Sequence, residues 1–193
     1  MSVVLDPFTA WTHGIEARLR LFFKADRWAF HVVPDPFSIE EFRSLVSART
    51  PMLALGWRQL NPNAKTAGRR FQGEAGLRLT IAVKNPTRAA RFLGDGKTPG
   101  LYPSMAGVIA LLNGYTLNDV GTLFVTACSQ AYAEGFGDAT VSIATLDLTA
   151  TIVIGDITGD GATAPDFLQL ISAFEPWPDG QAPDAPIDVR PAP

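Results

Sequence analysis

The chain has 193 residues, 47% of them hydrophobic and 18% charged, which is enough apolar material for one sizeable core and excludes wholesale disorder. No apolar run reaches the ~18 residues of a membrane-spanning helix, and Met1–Trp11 is neither basic nor followed by a signal-like segment, so synthesis in the cytosol is expected. A net charge of −3 hides a segregation: residues 1–57 balance six Lys/Arg against six Asp/Glu, 58–97 carry nine basic residues against Glu74 and Asp95, and 98–193 carry Arg190 against eleven acidic ones. Such a division suits nucleic-acid binding or head-to-tail attraction between identical subunits, unless folding mixes the charges in space.

In chain order, Ile15, Leu19, Phe22 and Phe23 recur at helical spacing and predict a helix over Thr12–Ala25. Trp28–Val32 alternates like a short strand, stopped by Pro34-Asp35-Pro36, with His31 on the face opposite Phe30 as an exposed or hydrogen-bonded residue. Ser38 and Glu41 form a capping-box pair that opens a second helix with the stripe Ile39, Phe42, Leu45 and Val46. Met52–Leu60 and Gly76–Lys84 read as strands. Between them Asn61–Ala75, rich in Asn, Gly and Arg, is a long loop or a projecting hairpin tip of the kind that often contacts a partner.

A third helix is expected over Ser104–Leu112, ended by Asn113-Gly114. Leu123–Ala127 and Thr140–Ile154 are the closing strands, the latter with a bulge near Thr145-Leu146 where its alternation slips. Pro165–Phe174 reads as a short final helix, and the last twenty residues contain six prolines, an extended arm. The architecture predicted is α+β: a mostly antiparallel sheet of four to five strands with helices on one face, one assembly domain over 1–174, and an extended Pro-rich arm over 175–193.

Several patterns invite chemistry. Gly94-Asp95-Gly96-Lys97-Thr98 resembles a phosphate loop, but the motif's first glycine falls on Arg91, and Pro99 stands where its helix should begin. Asp156-Ile157-Thr158-Gly159-Asp160-Gly161 starts like a calcium loop, yet the closing acidic ligand at position twelve is Phe167. Asp156 and Asp160 are therefore weak metal candidates beside a simple Asp/Gly turn, and no cofactor is expected. One Cys and two His cannot build a Cys/His zinc site, and Cys128, inside an apolar run, reads as a buried structural thiol. There is no Gly-x-Ser-x-Gly, and candidate carboxylates such as Asp147 lie singly in strands, so no enzyme activity is expected. Lys65, Arg69, Arg70 and Phe71 are candidate partner contacts, through nucleic acid or through protein.

The order of these elements resembles the tail-terminator proteins of Mu-like and related long-tailed phages. The features that carry it, over roughly 11–155, are the helix with Ile15 and Leu19 and the strand end Val33-Pro34-Asp35-Pro36-Phe37. Leu53-Ala54-Leu55-Gly56 follows, then Arg69-Arg70 ahead of Leu79–Asn85, then Leu111-Leu112-Asn113-Gly114-Tyr115 and two closing strands. The resemblance implies a virion protein that forms a homohexameric ring, caps the tail tube, ends its polymerisation and docks to a neck or head-completion protein. DNA would only pass through the lumen, which places Arg69 and Arg70 at protein contacts. Another head–tail connector or tail component is the alternative, and a calcium-dependent binding module a further one. The residues after 155 depart from the pattern.

Overall fold

A computed structural model describes residues 6–36, 38–63, 71–118, 120–131 and 140–154. Contacts divide the chain into Met1–Asp156 and Ile157–Pro193. The second unit, with the predicted final helix, the arm and most of the calcium-like turn, lies outside the described residues, as do Asp156 itself and the tip 64–70.

Six strands form one sheet in the order β1-β2-β3-β6-β5-β4. They are β1 (Ala29–Pro34), β2 (Met52–Pro62), β3 (Phe71–Lys84), β4 (Tyr115–Leu117), β5 (Gly121–Ala131) and β6 (Val141–Ile154). The helices are α1 (Pro7–Leu19), α2 (Ile39–Ala48), α3 (Arg88–Leu93) and α4 (Leu101–Leu112). All pairings are antiparallel except β1 with β2, which run parallel because α2 carries the chain back between them. The sheet is thus mixed and has more strands than the sequence pattern indicates.

The helices do not share one face. Along β3, Leu77, Leu79, Ile81 and Val83 join the large core with Trp11, Ile15 and Leu19 of α1 and Leu101, Val108 and Leu112 of α4. Ala82 faces the other way, into a smaller cluster with Phe42 and Val46 of α2, Met52 and Ile143. Strand alternation sends successive side chains to opposite faces, so Thr80 and Ala82 need cover, and α2 supplies it. That is why a strand predicted to be half-exposed is buried on both sides over Thr80–Val83.

Local signals explain most boundaries. Ser38 and Glu41 make the reciprocal capping box. α1 starts earlier than predicted because the Asp6 carboxylate accepts hydrogen bonds from the N–H groups of Phe8 and Thr9, with Pro7 at the first helical position. It also ends earlier: Phe23 folds under to meet Trp28 edge to face at 4.8 Å between ring centroids, leaving Phe22 exposed. Phe71–Ala75 is strand rather than loop, paired with β6 throughout and with β2 from Gly73, so the connection between the two strands shortens and they form a hairpin. The bulge lies in β5, at the register shift between Val125 and Ala127, while β6 pairs regularly with β3 along its full length. Cys128 is exposed, not buried: it stands opposite the buried Leu146, but in β5 the core reaches only Leu123 and Val125, before Cys128.

His31 is neither exposed nor hydrogen-bonded: its Nε2 is enclosed and lacks a partner. Burial pushes the imidazole below its ordinary value of 6.5. The fold therefore disfavours the protonated ring, while the unfolded chain takes up the proton near 6.5, so this stabilising term is present above 6.5 and lost as pH falls below it. Urea midpoints measured at pH 7.5 and 5.5 should drop more for the wild-type chain than for His31→Leu. Equal drops would show that His31 titrates as it does in the unfolded chain.

Candidate assembly surfaces

The face of the sheet beside α2 carries a charge cluster built from three strands and a turn. Arg78 of β3 stands directly opposite Asp147 of β6 in the register, and its Nε donates to Asp147 Oδ1 at 2.9 Å. Arg58 of β2 reaches the other carboxylate oxygen at 3.3 Å. Asp35, in the turn after β1, lies 3.7 Å from the guanidinium, with a side chain only 6% exposed. Gly56 makes this approach possible, since a Cβ there would sit 3.0 Å from Cβ of Asp35 and 3.1 Å from the carbonyl oxygen of Val33. The hydrogen bond to Asp147, followed by the fields of Asp35 and Asp147, holds the Arg78 pKa above its ordinary value against the desolvation that lowers it.

Next to this cluster is a cleft of about 200 Å³, with Asp35, Ile39 and Phe42 on one wall and Arg78, Thr80, Ile143 and Thr145 among the residues of the sheet side. Two carboxylates already occupy the guanidinium fork of Arg78, so the cleft offers no free cation to an anionic ligand. The cluster joins β1, β2, β3 and β6 electrostatically, and its strength follows burial. Arg78→Ala would leave Asp35 buried without its cation and should cost about 3 kcal/mol of unfolding free energy. Arg58→Ala, at a side chain 45% exposed, should cost less than about 1 kcal/mol. Equal losses in denaturant titrations would contradict this ranking.

The loop that resembled a phosphate site is filled by its own carboxylate. Asp95 accepts from the N–H groups of Lys97 at 3.0 Å and Thr98 at 2.6 Å, and from Asn85 Nδ2 at 3.3 Å. These bonds, the one from Thr98 foremost, lower the Asp95 pKa. The backbone donors that would cradle a phosphate are taken. Gly94, at φ 86°, and Gly100 close the loop, and a Cβ on Gly100 would lie 2.3 Å from the Gly94 nitrogen.

Of the predicted contact residues, Lys65, Arg69 and Arg70 lie outside the described residues, at the tip of the β2–β3 hairpin. Phe71 is half-buried at the start of β3, opposite Ile154, and its ring lies over Gly73, where a Cβ would come within 2.9 Å of it. Asp147, noted as a single carboxylate, proves to be paired. Among the described residues no three His, Cys, Asp or Glu side chains gather closely enough to hold a metal, and no helix is long and apolar enough to cross a membrane.

The surface that the sequence did not single out is the outer edge of β5. β4 pairs only with Gly121–Leu123. Beyond it, the outward edge of Phe124–Ala131 has no strand beside it among the described residues, and Thr126–Gln130 are exposed on five successive positions. The stretch Gly121–Ala133 contains no charged residue. The opposite edge is blunted: Pro34 ends β1, and Arg20 covers the Trp28 carbonyl just before it with a 2.9 Å hydrogen bond.

No protein-family description matches the chain, and no curated protein matches it. Among solved structures, a chain of a particle described as the virion of a native gene transfer agent is similar at 9% identity and a TM-score of 0.43, over 72% of this chain and 91% of that chain.

Proposed function

We propose that this chain is a structural protein of a phage-like virion and, more finely, a tail terminator that forms a ring on the end of the tail tube. Its work is binding, not catalysis. The observation that carries this reading is the open edge of β5: a long, uncharged strand with exposed Phe124 and no proline or charge to blunt it. Monomeric proteins protect such edges; an assembly protein presents one because a partner completes it.

Two further features support the same reading. The order of sequence features over 11–155 resembles the terminators, and α1, β1, β2, β3, α4 and the last two strands fall in that order. The β2–β3 hairpin is long, with its ladder continuing to Pro62 and Gly73, and the basic Lys65, Arg69 and Arg70 fall in the sequence between those two strands. Several charges on such a tip would set the register with a neighbouring subunit or the tube protein more than they would add affinity.

Particles assembled without this protein should show overlong tubes lacking heads by electron microscopy. Normal tube lengths with heads attached would contradict the terminator reading. Converting Arg69 and Arg70 to Glu should leave the melting temperature within a degree or two while capping weakens, and wild-type capping should itself weaken with added salt. If the double variant caps tubes normally but loses DNA in a gel-shift assay, the tip serves nucleic acid instead.

A further inference from the structure

The chain completes the first part of the β5 edge by itself. The Leu123 carbonyl accepts from the Gly114 N–H at 2.8 Å, and the Val125 N–H donates to Asn113 Oδ1 at 3.2 Å. Both groups therefore point away from β6 and are taken up where α4 ends. Among the described residues none does the same further along, where β5 has left β4 behind.

Which groups remain open follows from the ladder. Alternate residues of a strand turn their N–H and C=O groups to opposite sides. Asn85 donates to the Thr140 carbonyl, so the even residues of β6 face β3 and the odd ones face β5. Thr145 and Asp147 thus bond toward β5, where Ser129 and Ala127 stand opposite them. The register shift after Val125 changes the phase of β5. Before it, Leu123 and Val125 point outward; after it, Cys128 and Gln130 do. These two residues present their N–H and C=O groups within the exposed run Thr126–Gln130, and no charge occurs over Gly121–Ala133.

We infer that the edge at Cys128 and Gln130 receives an extended segment of another protein, which adds one strand to the sheet beyond β5. The edge fixes the chemistry of that segment. It carries backbone N–H groups on two residues two apart, which excludes proline at both. It is uncharged there, because the edge offers no counter-charge. A second copy does not supply it from its described edges. Its β1 is blunted at Pro34, its β4 has three residues, and β5 meeting β5 makes a closed twofold pair rather than a ring. The inference rests on the terminator reading above and names the groups that would hold the partner.

Hydrogen exchange of individual amides in the full-length chain tests this, first free in solution and then bound to purified tail tubes. In the free chain Cys128 and Gln130 should exchange fast and Ser129 slowly. On capped tubes the first two should slow by about tenfold or more, with Ser129 unchanged. Gln130→Pro removes one outward N–H and leaves the bonds to β6 in place. It should weaken capping by about three- to tenfold, as the loss of one hydrogen bond would, with the melting temperature nearly unchanged; undiminished capping by the folded variant counts against the inference. If the variant does not fold, the exchange rates of the wild-type chain decide alone. Capped tubes on which Cys128 and Gln130 still exchange fast overturn the inference and leave the terminator reading standing. Protection already present in the free chain also overturns it, since the edge is then filled from within or by a twofold copy. A chain that caps no tubes overturns both.

Discussion

The pairing of β3 with β6 is the constraint on which the rest of the structure depends. The two strands match residue for residue from Phe71 with Ile154 to Lys84 with Val141, without a bulge. Both are internal, β3 over Gly73–Ala82 and β6 over Ile143–Ala150, so their backbone groups there find partners in strands on both sides, and both must be covered on each face. One face presents Leu77, Leu79, Ile81, Val83, Leu146 and Leu148 and demands α1 and α4. The other presents Ala82 and Ile143 and demands α2. At the centre of that second face the ladder sets Arg78 across from Asp147, and an unpaired charge there would be costly enough to lock the register: a slip by one residue would break the pair and turn the leucines outward.

This central order contrasts with what surrounds it. The sheet is closed at β1 by Pro34 and Arg20; at β5, among the described residues, Asn113 Oδ1 accepts from the Val125 N–H and no strand follows beyond Leu123. The helical layer is closed where α1 and α4 meet the sheet and left apolar on its outside. A domain that folded only for itself would gain solubility from charges at both places. Their absence from Gly121–Ala133 and from the whole of α4 is one compositional choice made twice, and it is the physical ground for reading the protein as a part of something larger.

What the sequence revealed, and what it hid, follows from the range of each signal. The capping box at Ser38, the alternation of β3 and the chain stop at Gly114, with φ 75°, are local and legible. α3 and β4, at six and three residues, are too short to show a period. The side of the sheet that α2 covers depends on a parallel β1–β2 pairing that no local pattern announces, although a helix between two strands is itself the sign of a crossover. Cys128 was misjudged because an apolar run does not say where its cover ends. The ion cluster was within reach: Asp147 is the one charge of β6 and Arg78 stands between Glu74 and Lys84 near the middle of β3, and the physics of burial requires such charges to meet. The candidate residues Lys65, Arg69, Arg70, Asp156 and Asp160 fall outside the described residues, while Phe71 stands half-buried at the start of β3, opposite Ile154.

The most direct measurement of the central claim is a cryo-microscopic reconstruction of whole particles that contain this chain. The result expected is a single closed ring at the junction of tail tube and head, with the outward edge of β5 of each subunit covered by a partner. Density for the chain repeated along the tube, or on the particle surface with the β5 edge open to solvent, would contradict it.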